Sequence, residues 1–277
     1  MSVVAVIPAR WGSSRFPGKP LEARVAGVAL LQRVWALAKA APGVGEVLVA
    51  TDEPRIRDFV EALGGRAVMT DAACRNGTER MHQALARAGL ADRPAINVQG
   101  DAVLTPPWVV GALARALGEA DGADLVTPAV RLGEAAYRRL VEQKRAGQVG
   151  GTTVTFDRQG RALYFSKQII PFLRDIETPL PVFRHIGLYG FRPGALERFV
   201  SLEPGPLERA EGLEQLRALE NGMTVRVVEV DYRGRTHWSI DSPEDRLVAE
   251  RLIAEEGELL AAWDGSARHR EEEQEKT

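Results

Sequence analysis

Hydrophobic residues in the first 130 positions alternate between short apolar runs and longer stretches with helical spacing. Apolar runs predict strands at residues 3–7, 47–50, 67–69, 95–98 and 125–127. Helical spacing predicts helices at residues 28–41, 54–63, 78–88 and 108–117. The alternation predicts a Rossmann-like α/β fold, with a mainly parallel sheet flanked by helices on both faces.

The pattern changes after residue 128. Residues 152–156 and 162–165 form a predicted hairpin, followed by a strand at 185–191. Further helices are predicted at 194–200, 207–222 and from 243 onward, with a strand at 225–230. We therefore expect a single α/β domain over residues 1–264, with a smaller mixed α+β segment inserted at about 130–222. Residues 265–277 are charged and lack periodicity, which predicts a disordered tail.

Composition narrows the class of protein. The 36 Lys and Arg residues are balanced by 38 Asp and Glu residues, whereas a nucleic-acid-binding protein usually carries a basic surplus. The one cysteine, Cys74, cannot form an internal disulfide framework and has no neighbouring base, so we expect it to be inert. The chain shows no signal-peptide pattern and no apolar stretch near the roughly 18 residues that span a bilayer. These features predict a cytoplasmic protein with neither a nucleic-acid nor a membrane partner.

The loop at residues 9–20 carries the strongest chemical signal. It follows the first strand, at the sheet edge where open α/β folds bind ligands. Its spacing is neither that of a Walker A loop nor that of a dinucleotide fingerprint. Backbone amides and positive charges of this kind favour a polyphosphate site over a solvated basic loop. The residues that supply them are Gly12, Ser13, Ser14, Arg10, Arg15 and Lys19.

Two aspartates are candidates for a metal site at the same edge. Asp101 follows the fourth predicted strand, and Asp241 follows the last one. Two carboxylates from separate loops suit an Mg²⁺ ion shared with substrate phosphates. Asp241 also has a structural alternative, because Asp241 or Ser242 can cap a helix that begins near Pro243.

Six further short segments of the chain are distinctive. They are NGTER at 76–80, NVQGD at 97–101, ALYFS at 162–166, RHIGLYG at 184–190, LEQLR at 213–217 and IDSPED at 240–245. Together with the loop, they resemble the CMP-Kdo synthetase (3-deoxy-manno-octulosonate cytidylyltransferase) family, and they occur in family order over roughly residues 3–255.

The resemblance implies transfer of CMP from CTP to a small acidic acceptor, with release of pyrophosphate and a requirement for Mg²⁺. The implied catalytic residues are Lys19, Arg10, Asp101 and Asp241, of which the two aspartates hold the metal. The implied nucleotide-binding residues are Pro8, Ala9, Arg10, Gly12, Ser13, Ser14, Arg15, Lys19, Asn76, Gly77, Arg80 and Gln99. The implied acceptor-binding residues are Lys167, His185, Tyr189, Glu214 and Gln215, although a histidine such as His185 is more often structural. The family also forms homodimers, which implies a dimer interface that includes residues 185–200.

Several departures from the family pattern fall where the acceptor is held. Ala102 follows Asp101 where the family has a second acid, and Lys167 stands where the family has arginine. Residues 147–154 and 238–242 also differ. Because lysine and arginine hold a carboxylate differently, these changes indicate neutral drift or a divergent member with an altered acceptor pocket. The acceptor is then Kdo or a related 2-keto sugar acid, or else a phosphonate such as phosphonoformate. An inactive nucleotide-binding regulatory protein is the alternative of another class.

Overall fold

A computed structural model describes residues 2–12, 16–119, 122–175 and 179–260. Ser13, Ser14, Arg15 and the predicted tail at 265–277 lie outside these residues. The strands are β1 (Val3–Ala9), β2 (Arg24–Val25), β3 (Val28–Ala29), β4 (Val44–Thr51), β5 (Arg66–Met69), β6 (Ala95–Asn97), β7 (Leu125–Arg131), β8 (Thr153–Phe156), β9 (Ala162–Ser166), β10 (Phe183–His185), β11 (Tyr189–Phe191) and β12 (Val225–Glu229). The helices are α1 (Lys19–Glu22), α2 (Leu30–Lys39), α3 (Pro54–Ala62), α4 (Gly77–Ala88), α5 (Pro107–Leu117), α6 (Glu134–Arg145), α7 (Ala195–Val200), α8 (Pro206–Glu211), α9 (Leu216–Glu220) and α10 (Asp245–Glu256).

The first half of the chain forms a parallel sheet in the order β5-β4-β1-β6. Strand β1 lies in its interior, and alternate residues of the strand enter opposite cores because side chains of a strand point to alternate faces. Val3, Ala5 and Ile7 pack in one core, and Val4 and Val6 in the other. The expected α/β fold with parallel strands and helices on both faces is confirmed here.

The second half continues the same sheet mainly with antiparallel strands. Strand β11 pairs antiparallel with β6 and β7, and β10 pairs antiparallel with β7 and β8. The predicted hairpin is formed by β8 and β9, while β12 lies parallel to β7. The strands of the segment at about 130–222 thus extend the sheet that β1 begins.

The single strand predicted at 185–191 is wrong, because two short strands, β10 and β11, pair with consecutive parts of β7. At the interruption, the buried Thr127 hydroxyl lies 2.7 Å from the Leu188 carbonyl oxygen and 2.7 Å from the His185 Nε2 atom. A hydroxyl has one proton, so donation to Leu188 leaves it to accept from His185. The side chain of Thr127 thereby bridges the interruption in the strand.

The helix predicted at 207–222 is also wrong, since α8 and α9 are separate. Gly212 ends α8 with a φ of 62°, a left-handed conformation that glycine adopts without strain. The Glu220 carboxylate of α9 accepts hydrogen bonds from the amides of Leu207 and Glu208, at 2.9 and 3.1 Å, and so caps the start of α8. Arg217 also pairs with Glu208 at 2.6 Å. The chain therefore folds back, and residues 212–215 lie in the turn.

Two further predictions need correction. The predicted helix at 28–41 begins as strand, since β3 pairs with β2 in a small hairpin before α2 starts at Leu30. Helix α6 was not predicted, and its apolar face is weak because Leu140 is its buried residue. Among the described residues, no helix combines the length and apolar character needed to span a membrane.

Candidate active site

A cavity of about 370 Å³ opens where β1 and β6 end. It lies at the carboxyl ends of parallel strands, the edge that the sequence predicts. Gly100 passes so close to β1 that an added Cβ atom would lie 2.8 Å from the Pro8 carbonyl oxygen. The lining residues are Pro8, Ala9, Arg10, Lys19, Pro20, Cys74, Arg75, Asn76, Gly77, Arg80, Gln99, Gly100, Asp101 and Asp241. We call this the nucleotide cavity.

Backbone and side-chain hydrogen bonds bring the two predicted metal-binding aspartates to one wall of the nucleotide cavity. The Ile240 amide donates to the Asp101 carbonyl oxygen at 3.2 Å, which joins the loop after β6 to the segment before Asp241. The Lys19 ammonium donates to the Ile240 carbonyl oxygen at 2.7 Å and lies 3.4 Å from Asp101 Oδ2. Lys19 therefore connects both aspartate-bearing loops.

The Asp101 carboxyl at this wall has a shifted pKa. Burial raises the pKa of the Asp101 carboxyl, the nearby Lys19 opposes this rise, and the negative charge of Asp241 adds to it. A raised pKa means that the surroundings disfavour the ionised form of Asp101. Additional positive charge at this position would stabilise that form.

Neither Asp241 nor Ser242 is the N-cap residue of a helix. Helix α10 begins at Asp245, and the side chain of its N-cap residue, Glu244, makes no capping hydrogen bond. Instead, Asp245 Oδ2 accepts hydrogen bonds from the amides of Asp241 and Ser242, at 2.9 and 2.7 Å. The Asp241 side chain faces the nucleotide cavity, and Asp245 shapes the turn that presents it. The sequence reasoning missed Asp245, although it ends the IDSPED run.

The start of α4 forms another part of the wall of the nucleotide cavity. The Asn76 side chain caps this helix by accepting a hydrogen bond from the Glu79 amide at 2.8 Å. Arg80 is almost fully buried, and its guanidinium donates to Thr70 Oγ1 at 2.5 Å and to Asp52 Oδ2 at 3.0 Å. Arg80 is therefore held rigidly at the cavity wall, in the segment that the resemblance assigns to nucleotide binding.

A second cavity, of about 350 Å³, adjoins the first and shares Gln99 and Asp101 with it. The interruption between β10 and β11 and the turn between α8 and α9 supply most of its wall. Its lining residues are Gln99, Asp101, Ala102, Ile186, Gly187, Leu188, Tyr189, Gly212, Leu213, Glu214, Gln215, His237 and Ser239. We call this the acceptor cavity.

Three predicted acceptor-binding residues line this second cavity and have desolvated polar groups. The Tyr189 hydroxyl donates to Gln215 Oε1 at 2.9 Å, and burial raises the pKa of Tyr189. Within the described part of the chain, Glu214 Oε1 and Gln215 Nε2 are buried without a hydrogen-bond partner. Because an unpaired buried polar group costs about 1–3 kcal/mol, these atoms suit a ligand that carries hydroxyl groups.

His237 lines the acceptor cavity and was not predicted, because no motif surrounds it. Its Nδ1 atom lies 3.3 Å from the Tyr232 hydroxyl, and the two rings stand edge to face. Burial and the nearby Arg184 charge lower the pKa of His237 to about 4. His237 is therefore a neutral imidazole at neutral pH.

Lys167 and His185 line neither cavity, although both were predicted to bind the acceptor. The Lys167 amide donates to Glu211 Oε2 at 2.8 Å, which ties the end of β9 to α8. His185 is buried against Thr127, and desolvation lowers the pKa of His185 to about 3. Their contact with an acceptor stays a prediction. Gly12 also lies outside the residues that line the nucleotide cavity.

Comparison with known proteins shows which family the chain belongs to. The family described as Cytidylyltransferase matches residues 4–225. A 3-deoxy-manno-octulosonate cytidylyltransferase of Maricaulis maris is 54% identical over 260 residues, which cover 94% of this chain and 100% of that protein. The protein of the same name from Chlamydia trachomatis serovar L2 is 39% identical over 250 residues, covering 90% of this chain and 93% of the relative.

A solved structure agrees with this relationship. A CMP:2-keto-3-deoxy-manno-octonic acid synthetase complexed with CTP matches with a TM-score of 0.80 and 33% identity. The match covers 92% of this chain and 100% of the other. These likenesses put the protein among the nucleotidyltransferases, the class of enzyme that its fold and cavities indicate. More narrowly, the chain belongs to the cytidylyltransferase family, among the 3-deoxy-manno-octulosonate cytidylyltransferases.

Proposed function

We propose that the protein transfers CMP from CTP to 3-deoxy-manno-octulosonate (Kdo) or a closely related 2-keto sugar acid, with release of pyrophosphate. The observation that carries this proposal is that Gln99 and Asp101 line both cavities. A nucleotide in one cavity and an acid in the other would meet at these shared residues. Holding two substrates in contact at one point is the main requirement for such a transfer.

The acceptor hydroxyl loses its proton to solvent and attacks the α-phosphorus of CTP, a new phosphorus–oxygen bond forms, and the bond to the pyrophosphate oxygen breaks. Lys19 and Arg10 line the nucleotide cavity and supply positive charge for the triphosphate and the departing pyrophosphate. Arg80, Asn76 and Gly77 form the wall proposed for the base. Tyr189, Glu214 and Gln215 orient the acceptor.

Mg²⁺ is a proposed cofactor, and the residues present fit it. Asp101 and Asp241 face one cavity, and the pKa of Asp101 is raised by burial and by the second carboxylate. Mg²⁺ in nucleotide sites is typically held by one or two carboxylates together with substrate phosphates. No group of three or more His, Cys, Asp or Glu side chains suited to a metal occurs in the described ranges, so phosphate oxygens would complete the coordination. The chemistry supplied by Mg²⁺ when bound is neutralisation of phosphate charge and a lower pKa of the acceptor hydroxyl.

The alternatives from the sequence receive less support. The relatives described above are named for 3-deoxy-manno-octulosonate, a polyhydroxylated acid. The acceptor cavity has several polar side chains, including Tyr189, Glu214 and Gln215, that can bind hydroxyl groups. Phosphonoformate has no alcohol hydroxyl group and would leave these side chains without a ligand hydroxyl to bind. Lys19, Asp101 and Asp241 remain together, which disfavours an inactive nucleotide-binding protein.

The test measures pyrophosphate release with each of the four nucleoside triphosphates, with and without Mg²⁺. The acids offered are Kdo, a second 2-keto sugar acid and phosphonoformate. We expect release with CTP, Kdo and Mg²⁺ together, and loss of activity after chelation. Release with phosphonoformate but with neither sugar acid would overturn the acceptor assignment. No release from CTP with any acid would favour the binding-protein alternative.

We also propose that the protein is a cytoplasmic homodimer. Leu163 and Phe172 are large apolar side chains that are exposed to solvent. They lie in the segment at about 130–222, outside the predicted interface at 185–200. The proposal rests on the family resemblance, and these two side chains are candidates for an extended interface. Light scattering after gel filtration should give twice the chain mass, and a monomer mass over the working concentration range would contradict the proposal.

A further inference from the structure

A hydrogen bond joins the two cavities through the protein. The Thr78 hydroxyl, on the first turn of α4, donates to Glu214 Oε2 at 2.9 Å. These residues are 136 positions apart in the chain, and Thr78 is 2% exposed. Glu214 lines the acceptor cavity, whereas Gly77, the neighbour of Thr78, lines the nucleotide cavity. The bond therefore runs from one binding wall to the other.

The bond to Thr78 also bears on the charge of Glu214. Burial raises the pKa of Glu214, and the Thr78 hydrogen bond and the positive charge of Arg217 oppose the rise. The negative charges of Glu208 and Glu79 raise the pKa further. Arg217 is already engaged by Glu208 through two hydrogen bonds, at 2.8 and 2.6 Å. The Thr78 hydroxyl is thus the neutral donor that favours the charged form of Glu214.

The bond to Thr78 uses one of the two carboxylate oxygens of Glu214. Glu214 Oε2 is occupied by Thr78, while Oε1 is buried and has no protein partner among the described residues. A carboxylate held at one oxygen cannot rotate freely, so its second oxygen keeps one position. The next residue in the chain, Gln215, likewise has a buried Nε2 atom without a described partner.

The other end of the bond is held rigidly. An added Cβ atom on Gly77 would lie 3.3 Å from the Pro8 side chain, so α4 begins in close contact with β1. The Asn76 cap fixes the same turn from the preceding residue. Thr78 is therefore anchored to the wall that we assign to the nucleotide base, and it cannot move independently of that wall.

We propose that Thr78 is a positioning residue for the acceptor: its hydroxyl orients the Glu214 carboxylate and ties the acceptor cavity to the nucleotide wall. This inference rests on the proposed function for the identity of the two ligands. Its consequence is that loss of the hydroxyl weakens use of the acid far more than use of CTP. A hydrogen bond to a charged group corresponds to roughly a tenfold to hundredfold effect.

The experiment compares Thr78→Val, which keeps the shape without the hydroxyl, with Thr78→Ser, which keeps the hydroxyl. Steady-state kinetics of pyrophosphate release are measured for wild type and both variants from pH 5 to 9, together with calorimetric binding of Kdo. We expect Thr78→Val to raise the KM and Kd for the acid by roughly tenfold or more, with the KM for CTP changed by less than about threefold. The acid limb of kcat/KM for the acceptor should move to higher pH, because Glu214 then protonates more easily. Thr78→Ser should restore wild-type values.

Three results would overturn the proposal. These are an unchanged acceptor KM and acid limb in Thr78→Val, an equal loss in Thr78→Ser, or an equal rise in the KM for CTP. If Thr78→Val does not fold, Glu214→Gln replaces it, since glutamine still offers an oxygen to Thr78 but cannot ionise. The acid limb must then disappear while the KM for CTP stays constant, and an unchanged limb would overturn the proposal. Wild-type turnover and binding of Kdo in the same assays test the proposed function separately.

Discussion

The nucleotide cavity and the acceptor cavity are built in different ways. The first lies at the ends of parallel strands and is lined by charged side chains such as Arg10, Lys19 and Asp101. The second lies where regular structure is interrupted, at the gap after β10 and the turn after α8. Its polar groups are largely neutral or desolvated, as with Tyr189 and His237. One cavity uses charge to hold a polyphosphate, and the other uses directed hydrogen bonds to select an acid.

Because the two cavities differ in this way, we expect substitutions in them to have different kinetic effects. A substitution in the charged cavity alters electrostatic stabilisation, which is often the largest contribution to catalysis. A substitution in the acceptor cavity alters fit and hydrogen bonding, so we expect it to change the KM for the acid more than kcat. The predictions below test this division, from the largest expected effect to the smallest.

Asp101→Asn should have the largest effect, because it removes charge at the point that both cavities share. We expect kcat to fall by roughly 10²–10³-fold, with the affinity for CTP changed much less. Stopped-flow or steady-state pyrophosphate release measures kcat, and calorimetry measures CTP binding. Asp58→Asn is the matched control, since Asp58 lies on the exposed face of α3 and pairs with Arg57. Full activity of Asp101→Asn would remove this carboxylate from the mechanism.

His237→Phe should have an intermediate effect, confined to the acceptor cavity. An aromatic ring remains at this position, but both nitrogen atoms are lost. We therefore expect the KM for the acid to rise about fivefold to tenfold, which is the effect of one lost hydrogen bond. The KM for CTP should stay constant. An equal rise in the KM for the acid and the KM for CTP would contradict the assignment of the acid to one cavity and CTP to the other.

The same variant also tests how the free energy of unfolding depends on pH. The pKa of His237 is about 4 in the folded chain, against an unfolded value near 6.5, so the unfolded chain binds the extra proton between these pH values. The free energy of unfolding of the wild type should therefore fall as pH drops from about 6.5 to 4. His237→Phe should reduce this slope by up to about 1.4 kcal/mol per pH unit. Urea denaturation at several pH values measures it, and an unchanged slope would contradict a neutral His237.

Lys167→Arg should have the smallest effect. The side chain lines neither cavity, and its amide is held by Glu211. We expect the ratio of kcat/KM for Kdo and for phosphonoformate to change by less than about threefold, measured by competition. A larger shift would support the sequence-based hypothesis that Lys167 marks an altered acceptor pocket, and would place this residue beside the ligand during turnover.

Much of the nucleotide cavity could be predicted from contiguous residues. Arg10 directly follows β1, Lys19 comes at the end of the loop after β1, and Asp101 lies in the loop after β6. The carboxyl ends of these parallel strands meet at one edge of the sheet. The acceptor cavity could be predicted only in part. Tyr189 and Glu214 were identified from motifs, but residues 185–191 and 207–222 were each assigned one regular element. Apolar periodicity continues through both interruptions, so it reveals neither the break between β10 and β11 that Thr127 bridges nor the end of α8 at Gly212.

The sequence by itself determined the parallel half of the sheet, the basic loop and the family, because these depend on local patterns and on short runs of residues. The tertiary structure decided which side chains meet. Asp241 reaches Asp101 through hydrogen bonds at Ile240, and His237 enters the acceptor cavity without any motif. Thr78 meets Glu214 although 136 positions separate them. Contacts of this kind arise from the packing of distant segments, and no local pattern in the chain encodes them.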